Sequence, residues 1–234
     1  MTAISRPRSR HQRSAAVLSL VILVAIAVGA GLLGSAMWFY PGGTALDPRA
    51  SGHSFWFNFM CDLTNRTAVN GQPNHPGASL ARAGLMCLCL ALGVFWVILP
   101  LSFGPRCSRR MARAITTPGL VSVVGLLLVP VAQGWFHVTA VFASSVPALA
   151  AGMLALVGTV RYARRPLLVV IASATVATAA IDSVLYGLSY QVQPRVVIPA
   201  LPLFQRLALV LMLTWMSLVA ARTWRQPRHD RTHS

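Results

Sequence analysis

Six apolar stretches, at about 15–38, 81–103, 117–134, 136–160, 166–189 and 198–221, leave this chain few ways to fold. Each is near the ~20 residues that a helix needs to cross ~30 Å of hydrocarbon. The expected fold is therefore all-α: a polytopic membrane protein whose six transmembrane helices form a bundle, with one long outer loop at about 39–80. Composition argues the same way and against a soluble globule, with 56% hydrophobic residues, 10% charged and a mean hydropathy of +0.64. The third stretch is the shortest and contains Pro130. It meets the fourth through Gln133-Gly134-Trp135, a tight hairpin. The first stretch follows a run of arginines, as a secretory signal does. Its apolar run exceeds the roughly 7–15 residues of such a segment, so an uncleaved helix is expected. No internal repeat points to an inverted-repeat transporter, and the small residues of GAGLLGSA in the first stretch read as a helix-packing face.

The net charge of +16 is carried by arginine alone, since the chain has no Lys and no Glu. Four segments, 6–13, 106–113, 161–165 and 222–231, hold four, four, three and four arginines. In a six-span chain all four segments lie on one side, with Arg49, Arg66, Arg82 and Arg195 on the other. The positive-inside rule then makes both termini cytoplasmic. The expected layout is a basic cytoplasmic N-terminus at 1–14, a six-helix domain at 15–222 and a polar cytoplasmic tail at 223–234. Basic segments so placed anchor topology and touch anionic lipid, so membrane lipids are the expected partners. A nucleic-acid partner is not expected, despite a pI near 11.7. Arginine without lysine suits high-GC coding, and the expected location is a bacterial cytoplasmic membrane.

The four cysteines, Cys61, Cys87, Cys89 and Cys107, form no CxxC pair and no metal-ligand spacing, so no disulfide framework and no metal centre are expected. No cofactor motif is present either: there is no phosphate-cradling glycine loop and no nucleophile elbow around Ser54, Ser183 or Ser189. The outer loop opens with Tyr40-Pro41-Gly42-Gly43, a turn signal. Its aromatic run from His53 to Leu63 suits an element docked in the headgroup zone.

Four acidic residues serve the whole chain, and Asp182 lies inside the fifth apolar stretch. A carboxylate there costs roughly 2.5–3.5 kcal/mol on insertion scales, so it needs a partner or a use. Asp182 lies about seven residues from the outer end of its span, roughly 10 Å deep. Gln205 and Arg206 reach a similar depth in the sixth. An Asp182–Arg206 ion pair is therefore expected. His137 opens the fourth span at the outer boundary, and Asp62, His53 and His75 lie in the outer loop, with Arg82 beside it. Asp62, His137, Asp182, Gln205 and Arg206 are thus candidates for one outward-facing binding pocket, in which arginine would take phosphate.

Several of these residues carry a family resemblance. Tyr40-Pro41-Gly42-Gly43, the run Phe57-Asn58-Phe59-Met60-Cys61-Asp62-Leu63, Asn74-His75-Pro76, His137 and Phe204-Gln205-Arg206-Leu207 with Trp215 resemble the six-helix prokaryotic family catalogued as domain of unknown function 998. Cys61, Thr64 and Gln205 stand where that family usually has Ser, Gly and Glu. The Asp62 motif is also similar to the Frag1/DRAM/Sfk1 group, some of whose members are linked to lipid handling. The resemblance implies a six-helix membrane fold and no defined reaction. Three readings stay open: a protein that binds or modifies an outer-leaflet or envelope lipid, a structural or interaction protein of the envelope, and a small proton-coupled transporter.

Overall fold

The computed structural model describes residues 10–105, 107–132, 134–163, 165–191 and 199–225. The basic residues before position 10, Arg106, Gln133, Arg164, Arg195 and the tail after 225 lie outside the described residues. Six helices are long and apolar enough to span a membrane. They are α1 (Arg10–Phe39), α3 (His75–Ser102), α4 (Arg109–Leu128), α5 (Trp135–Gly158), α6 (Pro166–Gln191) and α7 (Leu201–Arg225), while a short α2 (Met60–Thr64) lies within the loop between α1 and α3. The chain is an all-helical, multi-pass membrane protein.

Helix boundaries follow local chemistry and correct three of the sequence expectations. The third span runs from Arg109 to Leu128 rather than over 117–134. Ser108 caps it by accepting from the Met111 N–H at 3.2 Å, and Pro130 falls beyond its end, where a missing N–H does no harm. The second span begins at His75, with Pro76 in its first turn. Arg82 is consequently about two turns inside the helix, not at its start. The last span begins at Leu201, not 198. At its far end α5 widens into a π-helical turn, Thr159–Ala163.

Consecutive spans pack side by side, and α7 returns to α1 to close the ring. The helix α3 also packs on α5 and α7 and is the most buried span, with 50% of its apolar window covered against 22–33% for the others. Its Phe95 and Trp96 stack with Trp215 of α7, ring centroids 5.0, 5.3 and 6.4 Å apart, and all three are fully buried. Gly119 lets α4 approach, because a Cβ there would enter the Trp96 ring. On α1, Gly29, Leu33 and Ala36 turn toward α3, and a Cβ on Gly29 would press on Gly84 and Leu88. Gly31 and Gly34 face open space, so only one glycine of the expected packing face serves that purpose. Val17, Leu20, Val24 and Val28 form an exposed apolar stripe on the other side of α1, the surface that lipid covers.

Candidate functional site

The connection 40–74 folds over one end of the bundle, and a single asparagine organises it. Gly42 and Gly43 adopt φ of +139° and +87°, a region that favours glycine. The turn aims the Gly43 carbonyl at Asn58. Asn58 is fully buried. Its Nδ2 donates to Gly43 O at 2.8 Å and to Asp62 Oδ2 at 3.0 Å, and its Oδ1 accepts from the Ser54 N–H at 2.9 Å. Asp62 Oδ2 also accepts from the Phe59 N–H at 2.8 Å, which caps α2. Asn74, fully buried as well, donates to the carbonyls of Leu63 and Asn65 and holds the far end of the loop. The segment 53–63 thus docks on the bundle as its aromatic content suggests, leaving Phe55, Trp56 and Phe57 exposed at the rim.

Arg206 belongs to this loop network. It is 2% exposed. Its Nε donates to Phe55 O at 3.2 Å and its Nη2 to Asn58 O at 2.9 Å. The guanidinium lies 5.4 Å from the centroid of the Phe55 ring. His53 Nε2 is 3.5 Å from Nη2. Burial, and then the Arg206 charge, push the His53 imidazole down to about 4, so it stays neutral and accepts from the arginine. Burial raises the Asp62 carboxyl, although its hydrogen bonds to Asn58 and Phe59 and the Arg206 charge oppose the rise.

The expected Asp182–Arg206 ion pair does not form. Successive helical residues point about 100° apart. On α7, Gln205 faces the bundle interior, while Arg206 faces the loop and is committed to its carbonyls. Gln205 Oε1 accepts from the Met60 N–H at 2.8 Å, latching α2 to α7.

Beneath α2 lies a cavity of about 150 Å³. His137, Asp182, Ser183, Tyr186 and Gln205 line it, with Cys61 and Thr64 from the loop above and leucines and valines around them. Three of the five sequence candidates therefore meet here, namely His137, Asp182 and Gln205. Asp62 and Arg206 do not line it, and neither do His53 or His75. His137 Nδ1 is 3.1 Å from Val129 O. A carbonyl only accepts, so Nδ1 carries the proton and Nε2 remains an acceptor in the neutral ring. Burial, with Asp62 adding to it, pushes the Cys61 thiol up to about 12, which removes it as a nucleophile.

A second cavity, of about 120 Å³, continues toward the bundle centre and shares Ser145, Asp182 and Ser183 with the first. Its deep end is lined by Thr175, Gly152 and Trp215. Six buried side-chain polar atoms among the described residues lack a hydrogen-bond partner. Three of them, Asp182 Oδ1, Ser145 Oγ and Trp215 Nε1, belong to residues lining these two cavities. Buried polar atoms are ordinarily satisfied, so these three leave hydrogen-bonding capacity beside the cavities; of the other three, Arg206 Nη1 and Asn74 Oδ1 belong to the loop network and Trp96 Nε1 to the core. Sequence reasoning passed over Ser145, singled out Trp215 only within the motif of the last helix, and gave Asn58 no role. An asparagine amid four aromatics was the available signal for Asn58.

At the loop face a groove of about 530 Å³ shares Cys61 and His137 with the upper cavity. Beside it, Arg66 and Arg82 line a further groove, where Arg82 Nε donates to Thr64 O at 3.0 Å. Among the described residues, no three His, Cys, Asp or Glu side chains gather in metal-binding geometry. No family model, curated protein or solved structure matches the chain.

Proposed function

We propose that this protein binds a lipid or related amphiphile, with the polar end of the ligand beside Asp182 and His137. The observation that carries this reading is the Asp182 carboxylate oxygen left unpaired in a largely apolar cavity. A ligand that enters along the His137 groove meets acceptors there: the carboxylate, the imidazole Nε2 and the Ser183 oxygen. The complementary headgroup donates through hydroxyl or ammonium groups. Phosphate suits the cavity poorly, because no guanidinium lines it. The arginine bias, with both termini cytoplasmic in a bacterial cytoplasmic membrane, makes the ligand an outer-leaflet or envelope lipid. The resemblance to the family of domain of unknown function 998 belongs to the same reading. Asp62 and Arg206 serve the architecture of the cap rather than the ligand.

Native mass spectrometry with lipid identification on the detergent-extracted protein tests the proposal. Asp182→Ala is expected to reduce co-purified hydroxyl- or amine-bearing lipid about tenfold or more, the worth of a charge-assisted hydrogen bond. Arg110→Gln, at an exposed position on the opposite end, is expected to leave it unchanged. Undiminished lipid on Asp182→Ala overturns the reading.

A further inference from the structure

At the end of the bundle away from the loop, the first turn of α6 and the last turns of α7 enclose a groove of about 630 Å³. Leu167, Leu168, Leu218 and Ala221 form its apolar wall, and Arg165, Arg222 and Arg225 form its polar side. Leu168 is buried in the core, whereas Leu167 is 60% exposed, so the wall runs from the bundle interior to the lipid-facing surface. Among the described residues no carboxylate balances the three cations. The acidic residues among those described are Asp47, Asp62 and Asp182, and none lines the groove. Asp182 lies about 24 Å along α6 from Pro166, at 1.5 Å per residue.

Three guanidiniums around one apolar wall, with no carboxylate among the described residues to meet them, repel one another when the groove is empty. Arg165 and Arg222 are close enough for their charges to act on one another. An anion between them turns that repulsion into charge-assisted, bidentate hydrogen bonds. The apolar wall selects which anion. A free phosphate gains nothing from Leu167 and Leu218, whereas a phospholipid fills the wall with an acyl chain while its phosphate meets the arginines.

We infer that the groove between α6 and α7 is a binding site for one anionic phospholipid, held by Arg165 and Arg222 through its phosphate, with Arg225 at the rim and an acyl chain along Leu167 and Leu218. The site is independent of the Asp182 cavity and of its ligand. The arginine bias assigns this end to the cytoplasmic leaflet, whose lipids are anionic.

The test is a native mass spectrometry titration of the detergent-purified protein with phosphatidylglycerol and with phosphatidylcholine of matched chains. The wild-type chain is expected to bind the anionic lipid about tenfold more tightly. Arg165→Gln with Arg222→Gln is expected to erase that preference, at about fivefold per arginine removed. Arg110→Gln, elsewhere on the same face, is expected to change it less than twofold, within what one distant charge contributes after screening. Arg222→Lys keeps the charge and is expected to retain most of the binding, provided circular dichroism shows unchanged helix content. Equal losses from Arg110→Gln and the double variant mean generic attraction and overturn the proposal. A loss in Arg222→Lys as large as in Arg222→Gln points to disturbed packing and overturns it too. Competition by soluble glycerophosphate as effective as that by intact lipid reassigns the groove to a free organic phosphate.

Discussion

Gln205 and Arg206 are neighbours in the chain, yet one lines an open cavity and the other sits in a densely hydrogen-bonded cap. Around Arg206 most groups are used, although its own Nη1 and the Oδ1 of Asn74 have no partner. The guanidinium holds Phe55 O and Asn58 O, Asn58 makes three side-chain hydrogen bonds, and Asp62 closes α2. Around Gln205 and Asp182, three polar atoms on adjoining cavities have no partner. A densely bonded network rigidifies what it touches, while partnerless atoms beside open cavities keep bonding capacity there. The contrast agrees with the proposal that the cap is architecture and the cavity a place for a ligand.

Substitutions can break that contrast, beginning with the largest effect. Arg206→Gln is expected to destabilise the protein by about 3 kcal/mol or more, because two loop carbonyls lose a charged donor and the buried Asp62 loses its nearest cation. Thermal unfolding in detergent measures it, together with faster proteolysis within 53–63. Asn58→Ala follows at about 2–3 kcal/mol, since the Gly43 carbonyl, the Ser54 N–H and Asp62 each lose a partner. Asp182→Asn is expected to change stability by less than about 1 kcal/mol while lowering lipid retention, because no hydrogen bond to Oδ1 is lost. Combined with Arg206→Gln it is expected to be additive within about 0.5 kcal/mol. A strong coupling between the two would restore the ion pair that the geometry replaces.

The smallest effect is in pH. His53 titrates at 6.5 when unfolded and at about 4 in the folded protein. Between those values the unfolded chain binds more protons, so the contribution of His53 to stability is present above pH 6.5 and is lost as pH falls toward 4. Asp62 has the opposite sign. Its carboxyl is raised above the unfolded 3.8, so folding favours its protonated form and it becomes less supportive as pH rises from that value. His53→Gln is expected to flatten the acid-side fall in melting temperature. An unchanged pH profile in that variant would remove His53 from the network.

The six spans were legible because hydrocarbon thickness imposes a long, almost uninterrupted apolar run on each helix. Asp182 and Gln205 do line one cavity, as the count of residues suggested, although the last helix starts at Leu201 and places Gln205 and Arg206 nearer its end than that count gave. Azimuth was not legible. These helices are apolar nearly all round, so periodicity does not say which side of α7 faces inward, and Gln205 and Arg206 looked interchangeable. The slip at the third span has a similar origin. Arginines in the first turns of α4 lower its hydropathy, although such side chains can extend to the interface while the helix continues. Within the loop, the turn at Gly42-Gly43 was readable, but the partners of Asn58 were not, since they come from residues 4 to 148 positions away.

The bonds from α7 to the cap also impose an order on biogenesis. Phe55, Asn58 and Met60 leave the ribosome about 150 residues before the side chains that hold them, at sequence separations of 151, 148 and 145. These three bonds of the cap cannot form until the last helix has been made. A chain truncated before Gln205 keeps the bonds that tie the cap to α3, such as Arg82 to Thr64, and lacks those that tie Phe55, Asn58 and Met60 to α7.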